Sequence, residues 1–204
     1  MPEARQHIGD SMTDAPPDLR ADARRNRERI LQAAVGQFTR RGIDASLEDV
    51  ARAAGVGAGT LYRHFPSREA LIAAALREGQ EALLVQAQQA RGLADADAAL
   101  AAWLAALQGY LRTFHGLPSP VLAAIEQQDS PLALSCEAMA AMTGEFLDRA
   151  KREGHARASI GTADLFLATL GIAWAVDRAA ACGTSTGRVN EILARGYLGG
   201  GEER

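Results

Sequence analysis

Ala51, Gly55 and Leu61 stand at a spacing that constrains this 204-residue chain more than any other feature. A small residue, a glycine four positions on and a bulky apolar residue six further on describe two short helices that cross closely. Ala51 is small where the helices meet, Gly55 supplies the positive φ of a tight turn, and Leu61 plugs the shared core from the second helix. Val50 and Val56 fill the remaining inward positions.

The punctuation around that spacing agrees with it. Ser46-Leu47-Glu48-Asp49 reads as a capping box for a helix over 47–54, with Asp49 reaching back toward the cap amide. A second short helix starts at Gly57 or Ala58 and ends at 64–65, because Pro66 disfavours helical geometry at the residue before it. Upstream, a helix over 20–41 carries Ile30, Ala34 and Phe38 on one stripe, widened by Leu31 and Val35. Arg24, Arg25, Arg27 and Arg29 occupy mostly its other faces, and Gly42 ends it. The three helices make a tri-helical helix-turn-helix.

The remainder also reads as helix. Apolar residues are 48% of the chain but aromatics only 5%, and Ala and Leu, both strong helix formers, supply most of the apolar content. Alternating Val-, Ile- and Thr-rich runs are nearly absent. The fold class is all-α: a helix-turn-helix domain over 20–66 and a helical-bundle domain over 67–198, flanked by a disordered leader (1–19) and a flexible tail (199–204). Helices are expected over 67–90, 95–115, 120–127, 131–153, 162–182 and 186–198.

A net charge of −3 by itself argues against a polyanionic partner, but the charge is unevenly spread. From Asp18 to Arg77 eleven Arg face seven acids, giving +4; the first seventeen residues carry −2 and everything after Arg77 carries −5. A basic head on an acidic body suits a protein that offers one end to a polyanion. Chance asymmetry is an equal reading of charge alone.

The second short helix concentrates donors: Thr60, Tyr62, Arg63 and His64 follow Gly57-Ala58-Gly59. Small residues let a helix sink into a groove, hydroxyls and imidazole N–H groups suit phosphate oxygens, and a flexible Arg reaches the O6/N7 edge of guanine. Arg68 opens the next helix, beside backbone amides that also favour anions. Phe65 is read as core; the Tyr62 ring is expected to pack with its hydroxyl free.

Ile30-Leu31-Gln32-Ala33-Ala34, Phe38, Gly42, Ser46, Val50-Ala51, Ala54-Gly55-Val56 and the run from Thr60 to Leu71 (TLYRHFPSREAL) resemble the TetR family of transcriptional regulators over roughly 24–75. The resemblance implies a homodimer, in most cases a repressor, that releases DNA when a small molecule enters the C-terminal domain. By position, Ser46, Thr60, Tyr62, His64 and Arg68 correspond to family residues that contact phosphates, while Gly57, Ala58 and Arg63 correspond to positions that approach bases. Arg68 stands where Lys is common. Gly57 and Gly59 depart from the commoner Ser or Pro, which shifts specificity onto Arg63, Thr60 and DNA shape.

Further along, Phe166, Leu170 and Trp174 mix with Ala168, Gly171 and Ala175, and Ile192 adds a stripe from the last helix. Phe166, Leu170, Trp174 and Ile192 are therefore candidates for a dimer interface that pairs helices into a four-helix bundle, an ordinary internal core being the alternative. Trp103, Leu107, Tyr110 and Phe114 form one stripe, and Met139, Met142 and Phe146 another. They are candidates for an apolar ligand pocket, although such stripes more often mean core.

Four dispersed histidines lack metal-ligand spacing, the glycines near 55–59 follow no strand, and no nucleophile elbow occurs. No enzyme activity, cofactor or metal is expected. Cys136 and Cys182 form no framework and are read as packed residues. No signal-peptide core or membrane-length apolar run is evident, so a cytoplasmic location is expected. The expectation is a homodimeric, sequence-specific regulator, a repressor released from a palindromic operator on double-stranded DNA by a small apolar effector. A DNA-binding protein controlled without a ligand, by a partner or by its abundance, and a small all-α enzyme are the rival readings.

Overall fold

The computed structural model of the chain describes residues 17–127, 129–179 and 186–198. Its helices are α1 (Pro17–Arg41), α2 (Leu47–Ala53), α3 (Ala58–His64), α4 (Arg68–Arg91), α5 (Ala96–Leu111), α6 (Pro118–Glu126), α7 (Ala133–Arg152), α8 (Thr162–Arg178) and α9 (Thr186–Tyr197). Among the described residues there is no strand, only an isolated antiparallel bridge between Ala156 and Leu198. The all-α expectation holds. Residues 1–16 of the expected leader, the tail 199–204 and Cys182 lie outside the described residues.

Several boundaries differ from expectation by a few residues, two of them for identifiable reasons. α1 opens at Pro17, so residues 17–19 belong to a helix rather than to the leader. Proline suits the first helical position, where its missing N–H costs nothing. α5 ends at Leu111 instead of running to 115. The chain turns there so that Phe114 packs edge-on against Phe38 of α1, ring centres 5.7 Å apart.

That aromatic pair joins the two expected domains. One continuous buried cluster runs from Ile30, Ala34 and Phe38 of α1 through Leu61 and Leu71 to Trp103, Phe146 and Leu170. α5 is its spine, packed by α4, α7 and α8. Trp103 stacks on Phe146 at 5.5 Å and donates its indole N–H to Thr143 Oγ1 at 3.0 Å. At the junction the Ile43 amide donates to the His115 carbonyl at 3.0 Å. A Cβ on Gly42 (φ +80°) would lie 2.8 Å from that same carbonyl oxygen, so both the conformation and the close approach require glycine.

Arginines tie the bundle's edges. Arg91 at the end of α4 forms a two-point bridge to Glu145 of α7, 2.7 Å at each contact. Arg149 donates to the carbonyls of Arg91, Leu93 and Ala94, which satisfies the C-terminal end of α4.

Candidate nucleic-acid interface

The helix-turn-helix forms from local rules. Ser46 caps α2, its Oγ accepting the Glu48 amide at 3.2 Å. Asp49 does not complete the expected capping box: its carboxylate accepts from Arg41 at 2.8 Å and Arg52 at 2.6 Å. Two guanidiniums outcompete a single backbone amide for a carboxylate. Gly55 turns with φ +64°, and the Arg29 guanidinium occupies the space where a side chain would sit. Arg29 donates to the carbonyls of Ala54 and Gly55, fixing the turn to α1. That clamp was not legible in the sequence, because its acceptors are backbone atoms.

α3 presents opposite characters on its two sides. Leu61 is fully buried and Phe65, its C-cap residue, nearly so. Gly57, Ala58, Gly59, Tyr62 and Arg63 are exposed, and Thr60 and His64 are half-buried. A Cβ added at Gly57 or Gly59 would meet nothing within 4 Å, so the first turn of α3 is open to a partner. Tyr62 is 51% exposed, more than the packed ring expected. Arg63 donates to Thr60 Oγ1 at 3.0 Å, which couples the two side chains expected to read bases.

Arg68 is placed differently from a free phosphate ligand. Its Nη1 donates to the carbonyls of Ile43 at 2.6 Å and Ala45 at 2.7 Å, in a part-buried position. The start of α4 is thereby tied to the loop that leads into the cap of α2.

Two family models match the chain: the TetR-family bacterial regulatory proteins over residues 30–75, and the C-terminal domain of SbtR-like transcriptional regulators over 95–197. The second match alone covers half of the chain.

The chain belongs to the TetR family of transcriptional regulators.

A solved TetR regulator of Streptomyces coelicolor, SCO0520, is 32% identical, with a TM-score of 0.55 over 86% of this chain and 99% of that one. The HTH-type transcriptional repressor KstR2 of Mycolicibacterium smegmatis is 35% identical over 74 residues, 36% of each chain. The regulator UidR of Escherichia coli is 37% identical over 70 residues, 34% of this chain and 36% of that one. The chain thus spans about a third of the length of the curated relatives it matches. The TetR-family match over residues 30–75 contains the helix-turn-helix.

The C-terminal candidates of this TetR-family regulator separate on inspection. Trp103, Leu107, Phe114 and Phe146 are fully packed, Met139 is buried, and Met142 is partly buried against the same core. They fill space rather than line it. Tyr110 differs: its hydroxyl donates to the Leu76 carbonyl at 3.3 Å, and burial pushes its pKa up to about 12. It borders a groove of about 730 Å³ between α4 and α5, with Gln86, Gln89 and Thr113 among its neighbours and no charged side chain among the described lining residues.

The interface candidates divide as well. Phe166 and Leu170 are buried inside the chain, whereas Trp174 is 45% and Ile192 72% exposed. Residues four apart share a helix face, so 166 and 170 turn inward together, and 174 has drifted to the rim. The outward face of α8 carries Leu167, Ala168, Gly171, Trp174 and Ala175. His115 faces Asp177 of α8. Cys136 is buried as expected. Among the described residues no cluster of metal-ligating side chains occurs, and no helix is long and apolar enough to cross a membrane.

Proposed function

We propose that this regulator is a homodimeric repressor that holds a palindromic operator and lets go when a small, uncharged, largely apolar effector binds its C-terminal region. The observation that carries the reading is the split of α3: Leu61 and Phe65 anchor it while Gly57, Ala58, Thr60, Tyr62 and Arg63 stand on its open side. Ser46, Tyr62, His64 and Arg68 serve the backbone, Arg68 largely by holding the α2 cap loop. Arg63 and Thr60, with the close approach allowed at Gly57 and Ala58, serve the bases.

Dimerisation through α8 and α9 is supported by the exposure of Leu167, Trp174 and Ile192 beside Ala168, Gly171 and Ala175. Apolar side chains next to small residues on one helix face suit close helix pairing across a two-fold axis. Two-fold protein symmetry then demands a two-fold site on DNA. An effector is supported by the α4–α5 groove, whose described lining carries no charge and whose volume falls in the range of small-molecule sites. The effector can weaken DNA binding only through its preference for one conformation over the other.

Control without an effector is a second reading, favoured by the solid packing of Trp103, Leu107 and Phe146. Selection of bound duplexes from a random pool by the full chain, with sedimentation of the complex, tests the main reading. The expected result is an inverted repeat bound by two protomers, and Trp174→Asp with Ile192→Asp giving monomers that bind it poorly. One protomer on a site without symmetry overturns the reading. A neutral-compound library that raises the melting temperature and releases that duplex supports the effector; release by none supports control without one.

A further inference from the structure

α1 is longer than the core requires. Nothing from Arg20 to Arg29 is buried, and among the described α1 side chains burial begins only at Ile30. At 1.5 Å per residue the part ahead of Arg27, which rests on Phe65, overhangs the helix-turn-helix by about 15 Å. Between 20 and 29 its apolar residues are Ala21 and Ala23 alone, so that stretch offers no large apolar side chain for a protein partner or a membrane to cover.

The charges of this overhang are ordered. Arg20, Arg24 and Arg27 follow i, i+4, i+7 spacing and share one face. At its inner end, the Arg27 guanidinium lies 4.8 Å from the ring centre of Phe65, the residue that ends α3. The stripe therefore begins beside the C-terminal end of the DNA-facing helix and runs outward for about 10 Å. Arg29, on the far side of α1, is spent on the turn at the other end of α3. Asp22 pairs with Arg25, off the stripe. Glu28 reaches Arg24 at 3.8 Å, between side chains 76% and 61% exposed, a weak contact that a phosphate can displace.

We propose that the Arg20–Arg24–Arg27 stripe is a second DNA-contacting surface, which grips backbone phosphates flanking the bases met by α3. The inference rests on the DNA-binding reading of α3 and adds a surface outside it. A stretch carrying cations on one face, with no large apolar side chain between 20 and 29, fits a polyanion, and its continuity with α3 selects the duplex that α3 occupies.

The test uses the full chain and the inverted repeat it selects, in two forms: flush-ended, and extended by about six base pairs on each side, which exceeds the reach of an overhang of about 15 Å. Anisotropy titrations over a salt series compare the parent with Arg24→Gln/Arg27→Gln. Arg20→Gln/Arg24→Gln, which leaves the Phe65 contact intact, guards against a folding effect, and Arg152→Gln at the end of α7 controls for charge. On the extended duplex both double variants are expected to lose about tenfold in affinity, with the slope of log K against log salt flattened by roughly one to two. On the flush duplex parent and variants should converge, and Arg152→Gln should match the parent on both. Unchanged affinity and slope on the extended duplex, or equal losses on the two duplexes, overturn the inference alone. A parent chain that enriches no duplex overturns the DNA reading and this inference with it.

Discussion

Asp177 and His115 meet at 2.8 Å, carboxylate Oδ1 to imidazole Nδ1, where the end of α8 touches the turn that follows α5. The second oxygen of Asp177 accepts the Gly116 amide at 2.9 Å, and the His115 carbonyl accepts the Ile43 amide. Arg68 then holds the Ile43 carbonyl. A continuous chain of hydrogen bonds thus runs from the helix that bears Trp174 to the loop that precedes the Ser46 cap.

Asp177→Ala removes both acceptors and leaves the part-buried Gly116 amide without its partner. A loss of about 1–3 kcal/mol in urea unfolding is expected, and a smaller one for Asp177→Asn, which keeps one carbonyl oxygen. Hydrogen exchange at the Ile43 amide should accelerate in the alanine variant. Unaltered protection there would show that the linkage stops at His115.

Arg68→Ala should cost roughly 1.5–3 kcal/mol of stability, because a charged donor serving two carbonyls is removed. Arg68→Lys keeps the charge but not the planar fork. It should restore the salt dependence of DNA binding better than the melting temperature. A lysine variant as stable as the parent would argue against the clamp.

Arg63→Ala should lose roughly 1–3 kcal/mol at the selected operator and relax its sequence preference. Thr60→Val, which frees Arg63 from its 3.0 Å bond, should change the preferred base without abolishing binding. Tyr62→Phe should weaken all duplexes alike. Competition titrations with single-base operator variants separate these outcomes, and an Arg63→Ala chain with the parent's preferences would end the assignment.

Burial pushes the Cys136 thiol up to about 11. In a Cys182→Ser background, roughly a thousandth of Cys136 is thiolate at pH 8, so alkylation should be slow in the native protein and fast in urea. Mass spectrometry over time reads the difference; rapid native labelling would contradict the burial.

How much was legible depended on how local each determinant is. Ser46, Gly55 and Pro66 act through the backbone within a few residues, so the caps, the turn and the ends of α2 and α3 could be read directly. Trp103 and Phe146 could not be assigned to core or pocket, because both demand the same helical stripe and only the neighbouring helices decide whether space remains. Phe166 and Leu170 were grouped with Trp174 by composition; the phase of α8 against α5 and α7 separated them. Arg29, Arg27 and Asp177 carried no signal, since their partners lie 25 to 62 positions away or are backbone atoms.

The sequence by itself determined the all-helical class, the helix-turn-helix and the face that α3 shows, since periodicity, glycine and proline act over a turn or two. The tertiary structure alone decided the rest. It used up Arg68 and Arg29 as clamps, filled the expected pocket with packed aromatics, turned Phe166 inward, and set Asp177 beneath the loop that leads to α2. Those outcomes come from which helix faces meet, and that depends on the free energy of the whole packed core rather than on any stretch of chain.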